Sequence, residues 1–362
     1  MGAITRTLGL SLLLSTVACG SENSESPGEA ASGGAGAENE GNGGTGGSDA
    51  SSETCKAEQE PVLLATLNGL TDEFTVHGDS VFVIDSATPD DGVADRIRRL
   101  ALDGSEDEIV HIVEVTLFDF LHFSLALDDT YVYYAHAPGV MRVPQTGGEA
   151  EQVSLAETDF SAADTILHAD GEFVYTTQDL VSLLRISVED GSETILAEHD
   201  DRLYDPQVFD RHIWYRVGFL PGGVYNTPLA ANDASEAMQS STAPCSLYRM
   251  SVTDDGIICS NAFSLVRYGL DDEERTTLLE FDESGGLHAS APDGDRIYLY
   301  PLEGVSDRTI YALPSAGGNP VPITCAKDTV LKLSFNEDTL VWLELAIESV
   351  DTETISLYTA RK

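Results

Sequence analysis

Between Val81 and Leu340 the hydrophobic and polar positions follow one recurring arrangement. A short apolar stretch meets a tight turn rich in Asp and Gly, and a strand of aromatic and β-branched residues follows. The turns read His77-Gly78-Asp79-Ser80, Leu127-Asp128-Asp129-Thr130, Ala169-Asp170-Gly171-Glu172, Phe209-Asp210-Arg211-His212, Asp254-Asp255-Gly256, Asp293-Gly294-Asp295-Arg296 and Asn336-Glu337-Asp338-Thr339. Asp-Gly and related pairs accept the positive φ that tight hairpin turns require. The strands after them begin at Val81, Tyr131, Phe173, Ile213, Ile257, Ile297 and Leu340, separated by 50, 42, 40, 44, 40 and 43 residues. Runs such as Tyr131-Val132-Tyr133-Tyr134 and Ile213-Trp214-Tyr215 suit a pleated surface packed against neighbours.

A second hairpin follows in most units, for example Val140-Met141-Arg142-Val143-Pro144 before Gly147-Gly148, and Ile310-Tyr311-Ala312-Leu313-Pro314 before Gly317-Gly318. Seven all-β repeats with a period near forty predict a seven-bladed β-propeller of four-stranded antiparallel blades. We label the strands of a blade a to d from the axis outward. After Leu340 the chain has room only for strands b and c, the latter at Ile355-Ser356-Leu357-Tyr358. The apolar run Val62 to Leu67 is therefore expected to supply strand d of blade seven, closing the ring with an N-terminal strand and protecting its edge. In blade four, Gly218 to Pro244 is long and rich in small residues, and the outer strands cannot be read there.

The stretch Leu127-Asp128-Asp129-Thr130-Tyr131-Val132-Tyr133-Tyr134, continuing into Gly139-Val140-Met141-Arg142-Val143-Pro144 and Gly147-Gly148, resembles the repeat of bacterial lipoprotein propellers of the TolB-like and YWTD-like groups. The resemblance spans essentially all of 61–362, and is sharpest in blades two, three and six. It implies a binding or scaffolding role in the cell envelope. The repeat carries no catalytic motif to map onto this chain.

The first residues read as an export signal: Arg6, the apolar Leu8 to Leu14, and the small-residue zone Ser15 to Cys19. That apolar run is too short to span a bilayer as a helix. Val17-Ala18-Cys19-Gly20 resembles a lipobox, departing from it in having Thr16 where Leu is usual. The expected organisation is a signal peptide at 1–18, lipidation of Cys19, a disordered tether at 19–60 and the propeller at 61–362. Residues 20–54 contain almost no aliphatic and no aromatic side chain, so they cannot bury enough apolar surface to offset the entropy of ordering. Such a tether of about 35 residues reaches ~30–35 Å, which holds a monomeric head clear of a membrane surface. The anchor is expected in the outer membrane, with the head on its periplasmic or outer side.

The formal charge is −43. A surface this acidic repels nucleic acid and anionic headgroups, and favours cationic partners. Cys55, Cys245, Cys259 and Cys325 remain beside Cys19. No CxxC spacing supports zinc or redox chemistry. In an exported chain four cysteines allow three pairings. Topology favours Cys245 with Cys259, both near one rim of blade five. Cys55 with Cys325 follows by elimination, although the strand scheme puts them nearer opposite rims unless the segment before the domain crosses the blade edge. Unpaired thiols are the alternative.

Alternating strand direction puts the a–b and c–d turns on one rim, and the b–c loops with the d-to-a links on the other. The longer, irregular segments lie on the second rim, where ligand sites are expected. Three segments there draw attention. Phe118, Phe120 and His122 stand on the link from blade one to two, with aromatic packing between blades as the plain explanation. His199, Asp200, Asp201, Arg202 and Tyr204 form a charged link from blade three to four, either a solvated loop or a site for a cationic ligand. Asp85, Asp90, Asp91 and Asp95 in the b–c segment of blade one offer clustered carboxylates for calcium, without EF-hand spacing. His288 begins an axial strand and, with His122, is the basis of an enzyme reading.

Three functions follow. The leading one is a non-catalytic envelope lipoprotein whose propeller binds or scaffolds a protein or peptide, without a cofactor. The second is a lyase or hydrolase acting on a glycan or peptide at the channel mouth. The third is a calcium-stabilised structural module. No GxSxG, HExxH or P-loop signature is present.

Overall fold

The computed structural model of the chain describes residues 55, 57, 59–67, 73–87, 94–114, 124–136, 139–154, 166–218, 223–241, 250–260, 264–270, 274–280, 287–301, 308–349 and 352–362, all within one unit, Ser51–Lys362. The chain enters through β1 (Val62–Leu67). Blade one follows as β2 (Phe74–His77), β3 (Ser80–Ala87), β4 (Ala94–Ala101) and β5 (Asp107–Glu114). Blade two is β6 (Leu125–Leu127), β7 (Tyr131–His136), β8 (Gly139–Pro144) and β9 (Glu151–Gln152); blade three is β10 (Ile166–Ala169), β11 (Phe173–Gln178), β12 (Ser182–Ser187) and β13 (Glu193–Glu198). Blade four comprises β14 (Leu203–Phe209), β15 (His212–Val217), β16 (Gly223–Pro228) and β17 (Met238–Ser241), so the stretch that sequence left unread does hold both outer strands. Blade five is β18 (Met250–Thr253), β19 (Gly256–Ser260), β20 (Ser264–Tyr268) and β21 (Arg275–Glu280), and blade six is β22 (Leu287–Asp293), β23 (Arg296–Pro301), β24 (Thr309–Pro314) and β25 (Val321–Cys325).

Blade seven takes three strands from the C-terminal end, β26 (Thr329–Phe335), β27 (Thr339–Ser349) and β28 (Thr352–Arg361), and its fourth from β1. β1 runs antiparallel to β28, with Val62 opposite Thr359 and Leu67 opposite Ile355. The expected N-terminal closure is present. Seven four-stranded antiparallel sheets in a ring make the chain a seven-bladed β-propeller.

Strand b carries continuous apolar runs because both of its faces are covered. In β27, Leu340 and Trp342 pack toward blade six, while Val341 and Leu343 pack toward blade one. In β7, Val132 and Tyr134 face blade one, while Tyr133 and Ala135 face blade three. One buried apolar cluster fills each of the seven blade-to-blade interfaces. The core is thus a set of wedges, and each blade depends on its two neighbours.

The turns behave as their chemistry predicts. Asp128 Oδ1 accepts the N–H groups of Thr130 and Tyr131, and Asp170 Oδ1 those of Glu172 and Phe173, each at 2.7–3.0 Å. Asn336 does the same for Asp338 and Thr339 in blade seven. Gly256 has φ +136° and lies against the Tyr268 carbonyl, where a Cβ has no room. In six blades the residue after strand c donates its N–H to an a–b turn carbonyl: Leu102 to Asp79, Gln145 to Thr130, Val188 to Glu172, Leu229 to Arg211, Ser315 to Asp295 and Lys362 to Asp338. The a–b and c–d turns therefore share one rim.

The segment before β1 crosses the edge of blade six. Gln59 bridges Thr324 of β25 in parallel, and Thr324 Oγ1 donates to the Gln59 carbonyl at 3.0 Å. Cys55 and Cys325 are joined, with Cα atoms 5.9 Å apart. The strand scheme alone put these cysteines nearer opposite rims. The edge crossing brings them together, and contacts with the propeller begin upstream of Pro61. Cys259 is also disulfide-bonded, and its expected partner Cys245 lies outside the described residues. Among the described residues no helix is long and apolar enough to cross a membrane. Cys19, the expected signal peptide and most of the expected tether are also outside them.

Candidate functional site

On the rim of the b–c loops and interblade links, the segment after β13 is divided by its side chains. His199 turns inward. Its ring meets Tyr225 at 4.9 Å and Tyr215 at 5.5 Å between centroids, and its Nε2 lies 3.2 Å from the Tyr215 hydroxyl. That hydroxyl lies 3.3 Å from Thr227 Oγ1, and burial pushes Tyr215 up to about 12. Burial holds the His199 imidazole below its usual range, with Asp200 acting the other way. Asp200, Asp201 and Arg202 stay exposed. They frame the cluster without joining it.

Tyr204 and Asp205 serve a different purpose. Asp205, at φ +48°, aims Oδ2 at Arg216 on β15, with Nε at 3.0 Å and an Nη at 2.6 Å. Arg216 lies over the Tyr204 ring at 5.5 Å and is buried. The same Asp205 oxygen accepts the Met250 N–H at 3.3 Å, linking blade four to blade five. Gln207 reinforces that link, donating to the Met250 carbonyl and accepting from Val252 N–H, both at 3.0 Å. The expected charged loop is thus half an aromatic cluster and half an interblade clasp.

Of the four carboxylates considered for calcium, Asp85 and Asp95 lie among the described residues. Asp85 lies opposite Arg96 in the β3–β4 hairpin, while Asp95 lies opposite Ser86. Successive strand residues point to opposite faces, so the two side chains leave the blade on different sides. Asp85 is wholly buried, and its Oδ2 accepts from Arg96 and Arg98 at 2.7 Å each. Arg98 also makes two bonds to Asp107, at 2.7 and 3.2 Å. Asp90 and Asp91 are outside the described residues, as are Phe118, Phe120 and His122. His288 is the second residue of β22, on the axial side of blade six. Among the described residues no three His, Cys, Asp or Glu side chains are grouped as metal ligands would be.

One buried carboxylate escaped the sequence reading. Glu344 on β27 accepts from Trp342 Nε1 at 2.6 Å, from Lys327 N–H at 3.1 Å and, through its other oxygen, from Asp328 N–H at 3.1 Å. It holds the link between blades six and seven. Burial raises its pKa against the pull of these three donors. A lone Glu inside the apolar run Leu340 to Ala346 was the available signal.

The opposite rim, that of the short acidic turns, holds a groove of about 1100 Å³ at the seam between blades seven and one. Its walls are the a–b turns 77–80 and 335–339, the c–d turn 101–106 and the end of β28, with Gln59 and Val62 at the outer side. Asn336 Nδ2 donates to the Gly78 carbonyl at 2.9 Å and ties the two a–b turns together. Exposed Asp79, Asp103, Glu106, Glu337 and Asp338 line it, with Arg361 as the single Lys or Arg. A smaller cavity of about 270 Å³ between blades two and three is lined by Asp128, Asp170, Tyr133 and Arg142. There Tyr133 donates to Asp128 at 2.6 Å, and in blade three Tyr175 donates to Asp170 at 3.1 Å. Those turn carboxylates are engaged in holding their own blades.

No family profile matches the chain, and no curated protein matches it in sequence. The solved structures similar to it are propellers by fold. YCF48 bound to D1 peptide superposes with a TM-score of 0.58 at 12% identity, covering 83% of this chain and 95% of that one. The extracellular domain of the hybrid two component system BT4673 from B. thetaiotaomicron gives 0.51 at 12% identity, and the match spans 83% of this chain and 39% of the other. BamB from Moraxella catarrhalis is a looser likeness, with a TM-score of 0.45 at 11% identity over 83% of this chain and all of that one. At these identities the likeness is one of fold.

Proposed function

We propose that the protein is an exported, lipid-anchored propeller that binds a protein or peptide partner in the cell envelope without catalysing a reaction. The observation that carries this reading is the fastening of the chain at the base of the expected tether. Cys55 is joined to Cys325, on the outer strand of blade six. Disulfides persist in oxidising compartments, and this one stands between a stretch with the composition of a flexible linker and a rigid head. Such a construction suits a module held out from a surface to meet something. YCF48, which shares the fold, is described as bound to a peptide, and a ring of wedged blades with open rims offers the same kind of platform here.

The test is made in the native envelope. Metabolic labelling with a palmitate analogue is expected to mark the wild-type chain and to leave Cys19→Ser unlabelled. Photocrosslinking from both rims of the tethered chain is expected to yield a discrete polypeptide adduct. Labelling of Cys19→Ser, or a head that yields no polypeptide adduct from either rim, would overturn the proposal.

A further inference from the structure

The seam groove combines three properties that the other described turns do not combine. It has volume, about 1100 Å³, beyond the usual ~300–1,000 Å³ of a small-molecule cleft. Its floor is partly aliphatic: Val62 is 53% exposed at its outer side, and Val76, Leu102 and Ala360 contribute to the lining. Of the five carboxylates on its rim, Glu106 lies 3.8 Å from Arg99 and Asp103 accepts the Ser105 N–H, which leaves three. The side chains of Asp79, Glu337 and Asp338 make no hydrogen bond or ion pair among the described residues, in contrast to Asp128, Asp170 and Asp85, whose oxygens are occupied.

An aliphatic floor under unpaired carboxylates selects a ligand with the reverse pattern, apolar on one side and cationic on the other. An extended peptide with alternating apolar and basic residues has that pattern, since its side chains alternate faces. The chain's own tether starts beside the groove, because Gln59 and Val62 line it. Residues 20–54 carry seven carboxylates and no Lys or Arg, the same sign of charge as the rim and the reverse of what it selects. A basic segment of another molecule supplies the opposite charge.

We infer that the groove at the blade seven–blade one seam docks an extended, basic and partly aliphatic segment of a partner protein. This rests on the binding role proposed above and gives that role a place and a ligand chemistry, on the rim of the short acidic turns.

The experiment measures fluorescence anisotropy of a labelled seven-residue peptide of alternating lysine and valine, titrated with the mature chain. Saturable binding that weakens as salt is raised is expected. The variant Asp79→Asn/Glu337→Gln/Asp338→Asn is expected to bind about tenfold more weakly, as the loss of three exposed charge pairs allows. A control variant of equal net charge, Glu149→Gln/Glu172→Gln/Asp254→Asn, is expected to bind like the wild type, and melting curves verify that both variants fold. Equal weakening in the two variants, equally tight binding of a glutamate–valine peptide, or no binding of the lysine–valine peptide would each overturn the groove assignment. The binding-module reading is decided separately: a partner crosslinked only from the b–c rim would retain it and discard the groove.

Discussion

Asp85 of blade one and Glu344 of blade seven occupy the same place in strand b, four residues beyond Val81 and Leu340, and both are buried. They are satisfied in different ways. Asp85 meets two guanidinium groups, whereas Glu344 meets one indole and two backbone N–H groups. Adjacent blades thus fill one repeat position with an ion pair and with a neutral-donor cradle.

Removing Asp85 leaves Arg96 and Arg98 packed on the blade without their shared acceptor. Breaking a buried pair from one side costs more than the pair is worth in place. Asp85→Ala is expected to lose about 3 kcal/mol in urea denaturation, with the slope of the transition unchanged. A loss comparable to that of an exposed pair, below about 1 kcal/mol, would contradict the role assigned to the network.

Glu344→Gln puts an amide N–H among three donors and is expected to cost about 1–3 kcal/mol. The pH dependence has a definite sign. Burial raises the folded pKa of Glu344, so its titration contributes stability below the unfolded value of about 4.3, and that contribution is lost as pH rises through the folded value. The advantage of the wild type over Glu344→Gln should therefore shrink as pH rises above the unfolded value. Urea midpoints at a series of pH values measure this, and an advantage that grows with pH would reverse the assignment.

His199 has the opposite sign. Its folded pKa is lowered by burial against Tyr215 and Tyr225, so its contribution is present above the unfolded value of about 6.5 and is lost as pH falls. His199→Phe keeps a ring between the tyrosines and removes the titration. The difference in melting temperature between wild type and variant should fall as pH drops below the unfolded value.

The Cys55–Cys325 link closes a span of 270 residues. Chain-entropy reasoning gives an upper bound of about 6 kcal/mol for such a closure. Reduction, or Cys325→Ser, is expected to lower the melting temperature and to expose the segment before β1 to protease. Equal protease resistance with and without reductant would show that the Gln59–Thr324 pairing alone holds the segment.

Deleting Pro61 to Leu67 removes strand d of blade seven together with Ala65 and Leu67 from the seam core. Because each blade leans on both neighbours, the expected result is one cooperative loss of the ring. Amide exchange would show protection falling in blades one, six and seven alike. Loss confined to β28 would mean that closure contributes only locally.

The architecture could be read from the chain because it is local and repeated. Each Asp- or Gly-bearing turn sets its own hairpin, each strand b declares by its unbroken apolar run that both faces are covered, and seven copies reinforce one another. The closing strand was legible for a related reason: Val62 to Leu67 is apolar and has no partner nearby in sequence. What tertiary structure alone decided is which polar groups meet across blades. Asp85 and Asp95 look like companions ten residues apart, yet the pleat sends them to opposite faces, while Asp85 finds Arg96 and Arg98. Elimination among the cysteines names Cys55 with Cys325, but the contact of Gln59 along an outer strand that allows the pairing has no local signature. The seam groove exists only where the last blade meets the first. Local turn and strand chemistry acts over a few residues and is written in order along the chain. The placement of charges and cavities depends on how the ring closes, and closure brings together residues more than two hundred positions apart.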